Sequence, residues 1–276
     1  MKKIATIVSN NNPVFKSARA LHTRKGREKA GAFLVEGWKL IIEAQGAGFE
    51  IERVFIDAGA LARGEAEQGQ WRFETALEEK LFSSLAQTES PQPYIAVVRR
   101  AGSSAGIHGN EAARTGTPHP ANKQAEPDRV LILDRIGDPG NAGTMIRTAL
   151  AAGMDAVWCV KGTADVFSDK AIRASAGAVF HIRAEEGLSA EECIERAREL
   201  SVRIFVCDAG GRSLYEEDLT GWIAVVVGNE ANGPQQAFLD AAHTVVGIPM
   251  AKESESLNAG AAAAVVMYEA LRQRME

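Results

Sequence analysis

Cysteine is scarce in this chain: Cys159, Cys193 and Cys207 stand far apart, with no C-x-x-C pair. That excludes a disulfide framework and a thiolate zinc site, and it suits a reducing compartment such as the cytoplasm. No clustered set of His, Cys and carboxylate ligands is visible, so no metal is expected. Long apolar runs are missing as well. The alanine-rich stretch 259–267 falls well short of the ~20 residues that span a bilayer, which leaves no membrane partner to expect. The N-terminal MKKIATIVSNNNPVF has two lysines but no apolar core of a secretory signal. No G-x-x-x-x-G-K-[ST] occurs, and no G-x-G-x-x-G follows a strand, so phosphate-loop and dinucleotide chemistry find no support.

What is there describes an ordinary globular chain. At 276 residues, 46% hydrophobic and 24% charged, the length suits about two domains and a core needs no staples. The net charge of −5 conceals an asymmetry. Residues 1–39 hold nine Lys/Arg against two acidic residues, a net +7, so the remainder carries −12. Arg19, Arg24, Lys25, Arg27 and Lys29 concentrate that charge. Such a segment is either a patch for a polyanion or a solvated helix face.

Punctuation divides the chain. Residues 101–128 are dense in Gly, Ser, Ala, Pro and Asn with almost no large apolar side chain, so they read as a flexible linker. Residues 1–100 before it form a small α/β domain, with strands expected at 32–36, 53–57 and 94–98 and helices at 38–44 and 78–86. Residues 129–276 alternate more regularly. Strands are expected at 130–134, 156–160, 179–182, 203–207, 223–227 and 245–249. Helices fall at 142–152, 169–176, 190–200, 235–242 and 257–274. In the last helix Leu257, Ala261, Ala264, Tyr268 and Leu271 recur at i+4 and i+3, which predicts a buried stripe. Continuous apolar strands separated by helices imply a largely parallel sheet covered on both faces. Ligands of such sheets bind beyond the carboxyl ends of the strands.

Three strand-end loops hold the informative residues. The first runs Arg135-Ile-Gly-Asp-Pro-Gly-Asn141 into a helix that carries Arg147. The second is Val225-Val-Val-Gly-Asn-Glu-Ala-Asn-Gly-Pro234, which crowds Gly228, Asn229 and Glu230 into one turn. The third is Ile248-Pro-Met-Ala-Lys-Glu-Ser-Glu-Ser-Leu-Asn258, followed by small residues that let a backbone or an adenine-sized ligand lie close. Taken singly, each loop is explained by helix capping and turn chemistry.

Taken in order, N-A-G-T-M-I-R-T-A, V-V-G-N-E-A-N-G-P and I-P-M-(x)5-S-L-N resemble the three motifs of the SpoU/TrmH family of RNA ribose 2′-O-methyltransferases, within the SPOUT superfamily. The segment Arg173-Ala-Ser-Ala-Gly-Ala-Val-Phe180 is similar to that family's R-x-S-x-G-A-x-F. The stretch Arg27-Glu-Lys-Ala-Gly-Ala-Phe-Leu-Val-Glu-Gly37 resembles the RNA substrate-binding domain often fused ahead of it. The resemblance implies a parallel α/β methyltransferase domain over 129–276 with a C-terminal trefoil knot, acting as a cytoplasmic homodimer with S-adenosylmethionine as cofactor. Gly228, Ile248 and Leu257 match the family's cofactor-holding positions, with Asn229 and Met250 beside them. Asn141, Arg147, Glu230, Ser256 and Asn258 match the polar set of its active site. One departure stands out: after S-L-N the family shows a small apolar residue and then serine, where this chain has Ala259-Gly260.

The expectation is therefore methyl transfer to a ribose 2′-hydroxyl of structured RNA, ribosomal RNA ahead of transfer RNA, with the basic segment contacting phosphates. The alternative is a non-catalytic RNA-binding protein that retains the fold.

Overall fold

A computed structural model describes residues 4–100, 126–251 and 257–275. The expected linker lies outside the described residues over 101–125. The chain separates into two compact units, one over the residues to 106 with 167–169, the other over the rest.

The first unit runs β1 (Thr6–Ile7), α1 (Pro13–Ala20), α2 (Arg24–Ala30), β2 (Ala32–Glu36), α3 (Trp38–Gly46), β3 (Ile51–Asp57), α4 (Ala58–Arg63), β4 (Glu74–Leu77), α5 (Glu79–Leu85) and β5 (Tyr94–Arg99). The sheet order is β1-β4-β3-β5-β2, and β5 runs antiparallel to both its neighbours. Asn12 begins α1 by accepting from the amides of Val14 and Phe15, and Pro13 sits where its missing N–H costs nothing. Phe15, Leu34, Phe55, Leu77, Phe82 and Ile95 share one core. The expected strands and helices are present, and the structure adds β1, β4, α1, α2 and α4. The two added strands have two and four residues, too few to show a period. In α1 the buried Phe15 and Ala18 are outnumbered by polar residues.

The second unit is built on six strands, all parallel to their neighbours. It runs β6 (Arg129–Leu133), α6 (Pro139–Ala151), β7 (Ala156–Val160), α7 (Asp169–Ala174), β8 (Arg183–Leu188), α8 (Ala190–Glu199), β9 (Arg203–Ser213), β10 (Ile223–Val227), α9 (Gln236–Ala241), β11 (Thr244–Gly247) and α10 (Ala259–Met275). The sheet order is β11-β9-β10-β6-β7-β8. The apolar runs of β6, β7 and β10 are continuous because both faces are covered.

Two expectations are corrected here. The apolar run at 179–182 is not a strand: Ala178–Phe180 form a single 3-10 turn, and the strand beside β7 is β8. Its sequence, RAEEGL, hides the strand because Glu185 is buried among Arg183 and Arg196, both 2.7 Å from its carboxylate. The stripe predicted on α10 is not the buried one. Gly260, Ala263, Val266, Met267 and Ala270 face inward, while Leu257 and Tyr268 are 42% and 50% exposed. Alanine at 261–264 makes every face of the first turns apolar, so the periodicity could not choose between them.

Close backbone approach fixes α6 against α7. A methyl group at Gly143 would lie 2.4 Å from the Ala171 carbonyl oxygen, so only glycine fits.

Candidate active site at the carboxyl ends of β6, β10 and β11

The loops after β6 and β10 are braced to each other through a buried carboxylate. Asp134 is wholly buried and accepts from the amide and the side-chain Nε2 of Gln235, each at 2.6 Å, and from Arg135 Nε at 3.0 Å. Arg135 adopts φ +60°. Its carbonyl accepts from Asn229 Nδ2 at 2.8 Å, and its guanidinium donates to the Gly233 carbonyl at 3.2 Å. These bonds offset the left-handed backbone at Arg135 and hold both loops in one geometry. Gly228 allows the second loop to close: a methyl group there would lie 2.2 Å from Pro234 N.

A polar relay joins all three loops. Asn141 Nδ2 donates to Glu230 Oε1 at 2.9 Å, and Asn258 Nδ2 donates to Asn141 Oδ1 at 3.2 Å. Asn258 Oδ1 then accepts from the amides of Gly260 and Ala261 and so caps α10. Glu230 Oε2 accepts from the Gly137 amide at 3.3 Å. The amide orientations follow from chemistry, because an ionised carboxylate only accepts and each side-chain amide must then turn its oxygen to the next donor. Desolvation pushes the Glu230 carboxyl up. The Asn141 donor and the amides of Glu230 and Gly137 outweigh it and hold the group below the usual carboxylate range. Glu230 therefore stands ionised at neutral pH.

Beside the relay a cleft opens at the strand ends. Gly228, Asn229, Ile248, Met250 and Leu257, the five expected cofactor positions, all line it, with Glu230 at its edge. Asn229 spends its side-chain oxygen on the amides of Ala231 and Asn232, and its carbonyl accepts from the Gly233 amide at 2.9 Å, which closes the turn at the cleft. Sequence reasoning missed Asp208 and Ala209, which also line it. They lie on β9, expected to stop at 207, whereas its pairing with β11 resumes at Arg212 and Ser213. Cys207 lines the cleft too; desolvation pushes its thiol up to about 12, so it stays protonated and is no nucleophile.

Of the expected active-site residues, Asn141, Glu230 and Asn258 are brought together. Arg147 lies exposed on α6 and does not line the cleft. Ser256 lies outside the described residues. Among the described residues no group of three or more His, Cys, Asp or Glu could hold a metal ion, and no helix is long and apolar enough to cross a membrane.

The model of the SpoU rRNA Methylase family matches residues 128–268. The chain belongs to that family. A second model, the MRM3-like substrate binding domain, matches residues 12–96. Among curated relatives, a 23S rRNA (guanosine(2553)-2′-O)-methyltransferase of Bacillus subtilis is 32% identical over 95% of this chain and 97% of its own. A 23S rRNA (uridine(2479)-2′-O)-methyltransferase of Streptomyces viridochromogenes is 28% identical over 97% and 92%. Among solved structures, the SpoU methyltransferase AviRb of Streptomyces viridochromogenes, in complex with AdoMet, superposes with a TM-score of 0.79 at 28% identity, covering 96% of this chain and 99% of that one. The parallel α/β architecture of the second unit is that of the SpoU methyltransferases.

The basic segment of this SpoU family member is less uniform than its sequence suggests. Arg19, Lys25 and Lys29 are exposed on α1 and α2. Arg24 pairs with Glu28 at 2.9 Å one helical turn on. Arg27 corrects the expectation: it is 6% exposed and donates to the carbonyls of Leu21 and His22 at 2.8 and 3.0 Å. It satisfies two carbonyls of the turn between α1 and α2 and is not offered to a phosphate.

Proposed function

We propose that this chain is an S-adenosylmethionine-dependent ribose 2′-O-methyltransferase acting on structured RNA, ribosomal RNA first, as a cytoplasmic homodimer whose C-terminal segment forms the family's trefoil knot. The observation that carries the reading is the relay Asn258–Asn141–Glu230 beside a cleft lined by all five expected cofactor positions.

The cleft fits the cofactor. Ile248, Met250 and Leu257 offer aliphatic surface for a flat purine, and Asp208 and Glu230 line the same opening. S-adenosylmethionine supplies an electrophilic methyl group for in-line displacement. This chain's residues have two tasks: to align a weakly acidic hydroxyl and to polarise it, so positioning supplies much of the acceleration. The relay keeps three loops in register at the cleft. Arg147, permanently charged and a donor only, polarises the 2′-oxygen beside an RNA phosphate. Ser256 completes the polar set. Exposed Arg19, Lys25 and Lys29 capture RNA through its phosphates.

The homodimer is supported by the outer face of α10. Ala261 and Tyr268 are apolar and exposed there in a single chain, the kind of surface a second copy covers.

The test is to map ribose 2′-O-methylation across total RNA from cells with and without the protein. One nucleotide should lose its methyl group in the deletion strain and regain it on complementation. An unchanged methylation map, with no transfer to purified ribosomal RNA, would favour the non-catalytic RNA-binding alternative.

A further inference from the structure

The first unit carries an aromatic cluster that none of the family motifs accounts for. Trp38 opens α3, Trp71 lies in the segment before β4, and Tyr94 starts β5. Their rings meet edge to face, with centroids 4.8 Å (Trp38–Trp71), 5.3 Å (Trp38–Tyr94) and 5.7 Å (Trp71–Tyr94) apart. Two of the three are anchored from behind. The Tyr94 hydroxyl accepts from the Glu67 amide at 2.7 Å. The Glu74 carboxylate accepts from the amides of Gly69, Gln70 and Trp71 at 2.6–2.8 Å, which fixes the segment that presents Trp71. Trp38 closes the cluster and is 38% exposed. A rigid indole held half in the open is a surface awaiting a flat partner.

The surrounding charge identifies that partner. Of three nearby carboxylates, Glu67 is exposed and the other two are engaged with the protein's own donors. Glu36 is buried and accepts from the amides of Gln87 and Gln92 and from the Thr88 hydroxyl, while Glu74 is spent on backbone amides. The flanking side chains Lys39 and Arg72 are exposed. Residues 1–100 carry a net +3, with fifteen Lys/Arg against twelve acidic residues, while the rest of the chain carries −8. An anchored aromatic face flanked by Lys39 and Arg72 suits a polyanion with exposed π surfaces, and unpaired RNA is such a molecule.

We propose that the Trp38–Trp71–Tyr94 cluster is a stacking platform for an unpaired nucleobase of the RNA substrate, with Lys39 taking an adjacent phosphate. The inference rests on the RNA reading above and adds a recognition site to it.

The test uses the full-length protein with a short fluorescent oligoadenylate and with the corresponding adenylate–uridylate duplex, read by anisotropy over a range of salt. Trp38→Ala should weaken oligoadenylate binding by roughly 5- to 100-fold, the span for one stacked base, without changing the slope of log K against log salt. Duplex binding should not change. Trp38→Phe should recover most of the loss and Trp38→Leu little of it, because only the first restores a ring. Lys39→Ala should flatten the slope by about 0.7. Oligoadenylate binding undiminished in Trp38→Ala overturns the platform. Full recovery by Trp38→Leu overturns it too, in favour of an apolar protein-docking patch. A change in sedimentation with RNA affinity intact assigns the patch to self-association and also overturns it. Methyl transfer to ribosomal RNA by the wild type, measured in parallel, separates the two readings. A protein that binds oligoadenylate through Trp38 yet transfers no methyl group refutes the enzyme and keeps the platform; the reverse result refutes the platform alone.

Discussion

At the scale of single residues, the structure separates capping from chemistry. Asn258 caps α10 with its oxygen and links to Asn141 with its nitrogen. Asn258→Ala should therefore cost ~1 kcal/mol of stability and lower activity together. Asn258→Asp keeps the acceptor and suits a helix N-terminus, so the urea midpoint should return to near wild type. It cannot donate to Asn141, so single-turnover methyl transfer should stay slow. Recovery of both would reduce Asn258 to a cap. Arg147 poses the opposite question, since it is exposed and outside the cleft. Arg147→Ala should lower kcat by ~10²–10⁴, the span of a positioned acid–base group, while S-adenosylmethionine affinity measured by calorimetry stays the same. Arg147→Lys should recover little, because an ammonium cannot reproduce the planar fork. A variant within a few-fold of the wild-type rate under saturating RNA and cofactor would make Arg147 a docking residue.

At the scale of elements, helix α6 shows how a start signal becomes a pH-dependent contribution. Asp138 accepts from the Asn141 amide at 2.9 Å and from Lys170 Nζ at 2.6 Å. The Lys170 hydrogen bond first, and the Asn141 amide after it, hold the Asp138 carboxyl below its ordinary range. With the folded value depressed, the unfolded chain binds more protons on the acid side, so stability rises with pH there. The contribution is complete above the ordinary carboxylate value near ~3.9 and disappears as pH falls through the folded one. Asp138→Ala should cost ~1 kcal/mol at neutral pH, and the gap between the two urea midpoints should close in acid. A gap constant with pH would show that the carboxylate charge is not used. Elements of this kind were largely legible in the sequence. Buried strands such as β6, β7 and β10 announce themselves as apolar runs, and the loops after β6, β10 and β11 carry the residues that meet at the cleft. What was hidden had physical reasons. The strand RAEEGL depends on arginines from two elements neutralising Glu185, which no local pattern encodes. The inward side of α10 was ambiguous because alanine fits both sides. Arg27 looked like its basic neighbours because burial of a cation by two carbonyls is a tertiary fact.

For the whole molecule, the two expectations are assembly and long-range charge. Tyr268 is 50% exposed on the outer face of α10, and Tyr268→Lys places a charge on that face. Sedimentation equilibrium should show the dimer shifting to monomer with the fold intact by circular dichroism; an unaltered dimer would put the interface elsewhere. The asymmetry of charge then governs RNA capture. Once Arg27 is buried and Arg24 is paired with Glu28, the five candidate phosphate ligands reduce to Arg19, Lys25 and Lys29. Each phosphate contact contributes ~0.7–0.9 to the slope of log K against log salt, so these three account for about 2–3. Removing residues 1–100 should flatten the slope for ribosomal RNA by at least that amount, with loss of affinity greatest at low salt, where counterion release is most favourable. The remaining 128–276 segment should still bind S-adenosylmethionine, since every described residue lining the cleft lies within it. Arg27→Ala should do something different in the full chain: it leaves the carbonyls of Leu21 and His22 without this donor and should lower the melting temperature while the salt slope stays near wild type. A truncated protein that kept the full-length salt slope would show the cations of α1 and α2 to be a solvated face, and RNA capture would then fall to the acidic second unit through contacts other than charge.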